Sequence, residues 1–91
     1  MHVRSPMGDV DATVELRRNG DALSGEISAM DRTAAVEGRV EGDGVEFEGT
    51  VRVRMMRVRF QFTGRLQGDE MSGEVEVGAF GRGTWTARRS A

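Results

Sequence analysis

The stretch VEFEGTVRVRMMRVRFQFTGRLQGDEMSGEVEV, residues 45–77, alternates apolar and polar side chains over most of its length. Alternation with a period of two is typical of strands that have one buried and one solvated face. The pattern breaks at Met55-Met56 and at Gly68-Asp69, where we expect hairpin turns. The stretch therefore predicts three antiparallel strands joined by two tight turns.

The rest of the chain carries the same alternation, and no segment shows a helical period. A short strand is expected at His2–Arg4 and a longer one over residues 10–16. Together these elements predict an all-β fold: a single antiparallel up-and-down (meander) barrel of about eight short strands, kinked at glycines, with residues 1–91 forming one domain. Further turn signals stand at Asn19-Gly20, Asp31-Arg32, Gly42-Asp43-Gly44 and Ala79-Phe80-Gly81.

Each turn also predicts a register, because a buried face must pair apolar residues with apolar residues. In every hairpin the inward set stays inward, whereas a slip of one residue would bury charges. The expected pairs are Leu16 with Leu23, Ala29 with Ala34, Val40 with Val45, Val53 with Val58, Leu66 with Met71 and, across the longer last turn, Val77 near Gly83 and Val75 near Trp85.

Glycine is the informative excess in the composition, with 13 glycines but only one proline among 91 residues. Glycine inside a strand commonly marks a bend or a close approach of the backbone. We expect sharp coiling of the sheet at these positions, with aromatic rings covering the bare backbone. An open sheet or a sandwich is the alternative. The inward-facing glycines are Gly25, Gly38, Gly49, Gly64, Gly73 and Gly83.

The predicted interior offers no group for acid–base chemistry, because no carboxylate or histidine falls on an inward position. The chain has no cysteine, which excludes disulfides, thiol catalysis and thiolate metal sites. Its single histidine, His2, cannot build a histidine metal cage. We therefore expect a non-enzymatic protein with no catalytic residues, no metal and no cofactor. The residues predicted to fill the barrel are Phe47, Phe60, Phe62, Val75 and Trp85.

Charge and hydropathy exclude further classes of partner. Thirteen arginines, with no lysine, stand against 15 acidic residues and give a formal net charge of −2. Nucleic-acid binding depends on a basic excess, so we do not expect it. No apolar run is long enough for a membrane span, and the start lacks the apolar core of a signal peptide. A cytoplasmic location is the expectation.

The two ends of the predicted barrel differ in chemistry. One end has polar, glycine-rich turns, and the other gathers methionine, one phenylalanine and arginine. An apolar patch ringed by polar residues commonly marks a contact surface, and methionine suits adaptable surfaces. The alternative is an apolar plug folded over the core. The candidate rim consists of Met7, Met30, Met55, Met56 and Phe80 with Arg32, Arg54, Arg57 and Arg82.

Like charges are expected to face each other on the solvated side of the sheet. The registers place Glu26, Glu37 and Glu48 side by side across three strands, and they set Arg52 opposite Arg59. Opposed like charges destabilise a sheet, so a divalent cation or an arginine-bearing partner is one interpretation of the glutamate row. A solvated face with screened repulsion is the other.

Four motifs carry a family resemblance: Ser5-Pro6-Met7-Gly8 ahead of a strand, Leu23-Ser24-Gly25, GDEMSG at residues 68–73 and GRGTWTAR at residues 81–88. On these motifs most of the chain resembles the small lipocalin-like (calycin-like) and streptavidin-like meander barrels. The resemblance implies a barrel that can hold an apolar ligand inside. Similar barrels also occur as accessory domains of larger enzymes such as flavin oxidoreductases.

Two functions remain open on the sequence. The favoured one is a protein-interaction or oligomerisation module that uses the rim to contact a second copy or a larger enzyme. The alternative is a lipocalin-like binder that holds a small apolar or anionic amphiphilic ligand in the barrel, with arginines binding its carboxylate or phosphate. Interior volume separates them: a filled interior around Trp85 favours the interface, and a void open at Met30 and Met55 favours the ligand.

Overall fold

The computed structural model describes residues 1–5, 8–29, 32–53, 55–78 and 81–88. Within these residues the chain forms nine β-strands and no α-helix. The strands are β1 (His2–Ser5), β2 (Gly8–Asp11), β3 (Thr13–Asn19), β4 (Ala22–Ala29), β5 (Arg32–Glu41), β6 (Gly44–Val53), β7 (Met56–Gln67), β8 (Glu70–Val77) and β9 (Arg82–Arg88).

The strands form one curled antiparallel sheet in the order β2-β1-β9-β8-β7-β6-β5-β4-β3. Its two end strands, β2 and β3, follow each other in the chain with only Ala12 between them. The first half of this segment pairs with β1 and the second half with β4. The ends of the sheet therefore meet within residues 8–19, as a meander barrel requires. The strand expected over residues 10–16 is split at Ala12, which gives nine strands in the described chain rather than about eight.

The structure confirms which residues face inward but corrects four of the predicted registers by two residues. A shift of two leaves every side chain on its own face, because strand side chains alternate with a period of two. The confirmed pairs are Val40–Val45 and Leu66–Met71. The corrected pairs are Leu16–Gly25, Ala29–Arg32, Val53–Met56 and Val75–Gly83.

Turn chemistry explains two of these corrections. Gly20, Gly42 and Gly68 take φ values of 65°, 62° and 63°, and an aspartate follows each of them. The turn predicted at Asn19-Gly20 is therefore wrong by one residue, since Asn19 is the last residue of β3. At the other end of the barrel Met55 takes φ 68° and Met56 already begins β7, so the predicted Met55-Met56 turn is also displaced by one residue.

Aromatic rings fill the interior of the barrel. Phe47 stacks on Phe62 with ring centroids 4.8 Å apart, and the Trp85 indole meets both rings edge-on at 5.5 Å. The indole lies beside Gly64, where an added Cβ would come 2.8 Å from its Cζ2 atom. All the residues predicted for the interior are buried, namely Phe47, Phe60, Phe62, Val75 and Trp85.

Candidate functional site

The described interior of the barrel is entirely apolar. None of its buried side chains is polar or charged. Across the described ranges no three histidine or acidic side chains come close enough to hold a metal ion. The polar groups that can meet another molecule are therefore on the surface of the barrel, and two places on that surface stand out.

The first place is the turn between β6 and β7, where two methionines face solvent. Met55 is 97% exposed and Met56 is 58% exposed, and they are the large apolar side chains most open to water in the described chain. Met55 also takes a left-handed backbone conformation, which is uncommon for a residue with a Cβ. The plug alternative is therefore wrong for these two residues, because neither folds back over the core.

Arginines surround this turn, and no described acidic side chain pairs with them. Arg52 lies directly opposite Arg57 on β6 and β7, and Nη1 of Arg32 donates a hydrogen bond to the Arg52 carbonyl oxygen. None of the three forms an ion pair with a described residue. We call the five residues Met55, Met56, Arg32, Arg52 and Arg57 the Met–Arg tip. It concentrates positive charge around exposed apolar side chains.

The Met–Arg tip matches only part of the predicted rim. Met7, Met30, Arg54 and Phe80 lie outside the described residues. Arg82 stands near the same end, but its Nη2 atom is 3.0 Å from Oε1 of Glu76, so its charge already has a partner. Arg52 joins the site, because the two-residue shift in register places it opposite Arg57; its expected partner, Arg59, lies opposite Thr50 instead.

The glutamate row on the solvated face is also rearranged. Glu37 does lie opposite Glu48, but Glu26 faces Glu15 and Ala35 instead of Glu37. Glu48 accepts a hydrogen bond from Nη2 of Arg59 at 2.6 Å, which neutralises one member of the row. No three acidic side chains among the described residues come close enough to hold a metal ion, so the cation interpretation of the row gains no support.

The second place is a cleft at the opposite end of the barrel. It measures about 570 Å³ and opens between β3 and the ends of β8 and β9. We call it the seam cleft. Its mouth carries Arg17, Arg18 and Arg88 together with Glu15 and Asp69. Its apolar lining is Val14, Leu16, Leu23, Val40, Val45, Leu66, Met71 and Ala87.

The sequence reasoning missed the seam cleft. The available signal is the difference in length between the strand expected at His2–Arg4 and the longer one expected over residues 10–16. One unbroken strand over residues 10–16 in a closed barrel predicts no cleft. The ligand void expected at Met30 and Met55 would have opened at the other end.

Comparison with known proteins adds no family to these observations. No protein-family model, no curated protein and no solved structure matches the chain. The lipocalin-like and streptavidin-like resemblance therefore stays a prediction. Within the described ranges, the chain has no helix of the length and apolarity that a bilayer crossing demands.

Proposed function

We propose that this domain is a non-enzymatic interaction module that binds another protein through the Met–Arg tip. The observation that carries the proposal is the exposure of Met55 at the apex of a hairpin whose neighbouring arginines have no described acidic partner. Exposed methionines form adaptable apolar contacts, and arginines at a rim select acidic groups on the partner. None of the buried side chains among the described residues is polar, which supports a role other than catalysis.

The charge of the tip favours an acidic partner over a second copy of this chain. A two-fold interface through the tip would bring Arg52 and Arg57 of one copy against the same residues of the other. Like charges at such a contact oppose association. A partner that presents carboxylates around an apolar pocket would instead relieve the repulsion between Arg52 and Arg57.

The packed interior weighs against the alternative of a ligand held deep in the barrel. Trp85 and Phe47 are each 1% exposed and their rings are in contact, which leaves no room around them for a small molecule. The filled centre supports the interface, whereas the apolar mouth of the barrel at the seam cleft, where the core residues Leu23, Val40 and Val45 line about 570 Å³ of open space, is the place left for a small ligand.

Site-specific photo-cross-linking in the cells that produce the protein tests this proposal. A cross-linker at Thr50, an exposed position on β6 close to Arg52, is compared with one at Asp43, in an exposed turn at the opposite end of the barrel. We expect an adduct of defined mass from position 50 and none from position 43.

Two variants show whether the adduct depends on the tip. Met55→Ser with Met56→Ser removes the apolar contact, and Arg52→Glu with Arg57→Glu reverses the charge while keeping two like charges opposite each other. The second variant thus retains the local repulsion, so its melting temperature should stay close to that of the wild type. Loss of the adduct in both variants supports the proposal. An adduct that survives both, or that forms equally from position 43, contradicts it, and so does the lack of any adduct.

A further inference from the structure

Part of the segment that closes the sheet has a backbone edge with which no described strand pairs. Ala12 donates its N–H to the Met1 carbonyl oxygen and accepts from the Met1 amino group, both at 2.8 Å. Peptide groups along a strand point to the same side at every second residue. The N–H and C=O groups of Val14, Leu16 and Arg18 therefore point the same way as those of Ala12, away from β4 and into the seam cleft. No described strand pairs with them on that side.

The seam cleft continues the row that β1 occupies. β1 lies between β2 and β9, with Val3 opposite both Val10 and Trp85. Beyond Met1 the same row is bounded by β3 on one side and by Ala87 and Arg88 on the other. In a β-sheet, two strands that flank a third lie about 9 to 10 Å apart, which is twice the spacing between neighbouring strands. The place of the cleft in the sheet order and its free hydrogen-bonding groups thus fit an extended backbone.

The walls of the cleft specify the side chains of such a strand. On the inner side the cleft is lined by Val14, Leu16, Leu23 and Met71, so every second side chain of the occupant meets apolar surface. On the outer side Arg17 has no ion-pair partner among the described residues. Glu15 lies on the same outer face, so the alternate side chains meet water, with positive charge beside Arg17 and negative charge beside Glu15.

We propose that the seam cleft binds an extended peptide of a partner protein by β-strand addition. The peptide runs antiparallel to β3 and exchanges backbone hydrogen bonds with Val14, Leu16 and Arg18. Its apolar side chains enter the cleft at alternate positions, and an acidic side chain faces outward beside Arg17. Main-chain bonds supply affinity in this mode of recognition, and the alternate side chains supply specificity. The site lies at the opposite end of the barrel from the Met–Arg tip, so the two proposals fail or stand separately.

Amide hydrogen exchange of the full chain, followed by NMR, tests the strand addition. In the free protein the amides of Val14, Leu16 and Arg18 should exchange faster than those of Glu15 and Arg17, which face β4. A synthetic peptide of alternating valine and glutamate, about six residues long, should slow the first three amides about tenfold or more at saturation. The amides of Glu15 and Arg17 should change little.

Methylation of the peptide backbone gives a matched control with the same side chains. Valines enter the cleft opposite Val14 and Leu16, so their N–H groups face β3, and methylating those nitrogens should abolish the protection. Methylating the glutamate nitrogens should leave most of it. An Arg17→Glu variant should bind the glutamate peptide less tightly and a valine–lysine peptide more tightly than the wild type does.

Four outcomes overturn the proposal. The first is that both methylated peptides protect the three amides equally, and the second is that no peptide protects them. The third is that protection rises with protein concentration alone, which would assign the edge to a second copy. The fourth is that sodium dodecanoate protects the amides while the peptide does not, which would make the cleft a site for amphiphiles.

Discussion

At the scale of single residues, Trp85 holds the centre of the barrel together. Its Nε1–H is shared between the carbonyl oxygens of Thr63 on β7 and Glu74 on β8, at 3.1 Å and 3.0 Å. The hydrogen bonds and the edge-on contacts with Phe47 and Phe62 position the indole against three strands at once. A side chain of this size that is 1% exposed contributes more burial than any other in the described chain.

We expect Trp85→Ala to lower the free energy of unfolding by about 3–5 kcal/mol, because it empties the centre of the core. Trp85→Phe keeps an aromatic ring in the core but loses the shared N–H bonds and the part of the indole beside Gly64, so its effect should be smaller. Urea unfolding followed by circular dichroism measures both, since the fluorescence of the only tryptophan is lost. Equal effects of the two variants would mean that the ring contacts that phenylalanine keeps do not contribute to stability.

Gly64 is the second residue on which the centre depends. A Cβ there would come 2.8 Å from Cζ2 of Trp85 and would overlap the Ser72 carbonyl oxygen. Gly64→Ala should therefore destabilise the protein by about 1–3 kcal/mol, although alanine is ordinarily easier to order than glycine. Gly44→Ala is the matched control, since its Cβ would only approach the Glu41 carbonyl oxygen at 3.2 Å. If Gly64→Ala melts no lower than Gly44→Ala, the close packing of Trp85 on bare backbone does not limit stability.

At the scale of the strands, the sequence predicts which face of the sheet a side chain lies on better than it predicts which residues pair across neighbouring strands. Period-two alternation places Val14 and Leu16 inward in either register, because a shift of two residues does not change the face on which a side chain lies. The register is decided by which residue takes the positive φ. Gly20 could have been chosen over Asn19 from the chain itself, which uses Gly-Asp at two other turns. No comparable signal exists at Met55, since nothing in its side chain favours a left-handed backbone.

Met55 is thus a strained position in the hairpin, and replacing it should change the stability of the protein. Met55→Gly relieves the left-handed conformation and should stabilise the protein by about 1 kcal/mol, which raises the melting temperature of a domain this small by about 4–8 °C. Met56→Gly, inside β7, should instead lower it. Calorimetry of the two variants measures both shifts. A Met55→Gly protein that melts at or below the wild-type temperature would show that the turn carries no such strain.

At the scale of the whole molecule, closure of the sheet depends on its shortest elements. The hairpins from β3 to β9 join neighbours in the chain, whereas β1 must pair with β9 from the far end of the sequence. Turn signals and alternation predict the hairpins, since each is specified locally. They do not predict how far β1 extends along β9. The seam cleft lies where the pairing between β1 and β9 ends. The sequence predicts that methionine and arginine gather at this end of the barrel. Which arginines belong to the Met–Arg tip depends on the strand register, which the sequence does not predict.

Removing β1 tests this account of closure. A chain that begins at Gly8 lacks both ladders of β1, so β9 and the segment 8–12 each gain a free edge. We expect a lower melting temperature and self-association, because unpaired edges recruit strands from other molecules. Val3→Ala is the control. It shortens a side chain that packs against the core but keeps the backbone pairing of β1, so this variant should melt somewhat lower and remain monomeric.

A synthetic peptide of residues 1–7 should return the shortened chain to a monomer by taking the place of β1 between β2 and β9. Light scattering and thermal melts decide the matter, and a shortened chain that stays monomeric with an unchanged melting temperature would mean that β1 does not close the barrel.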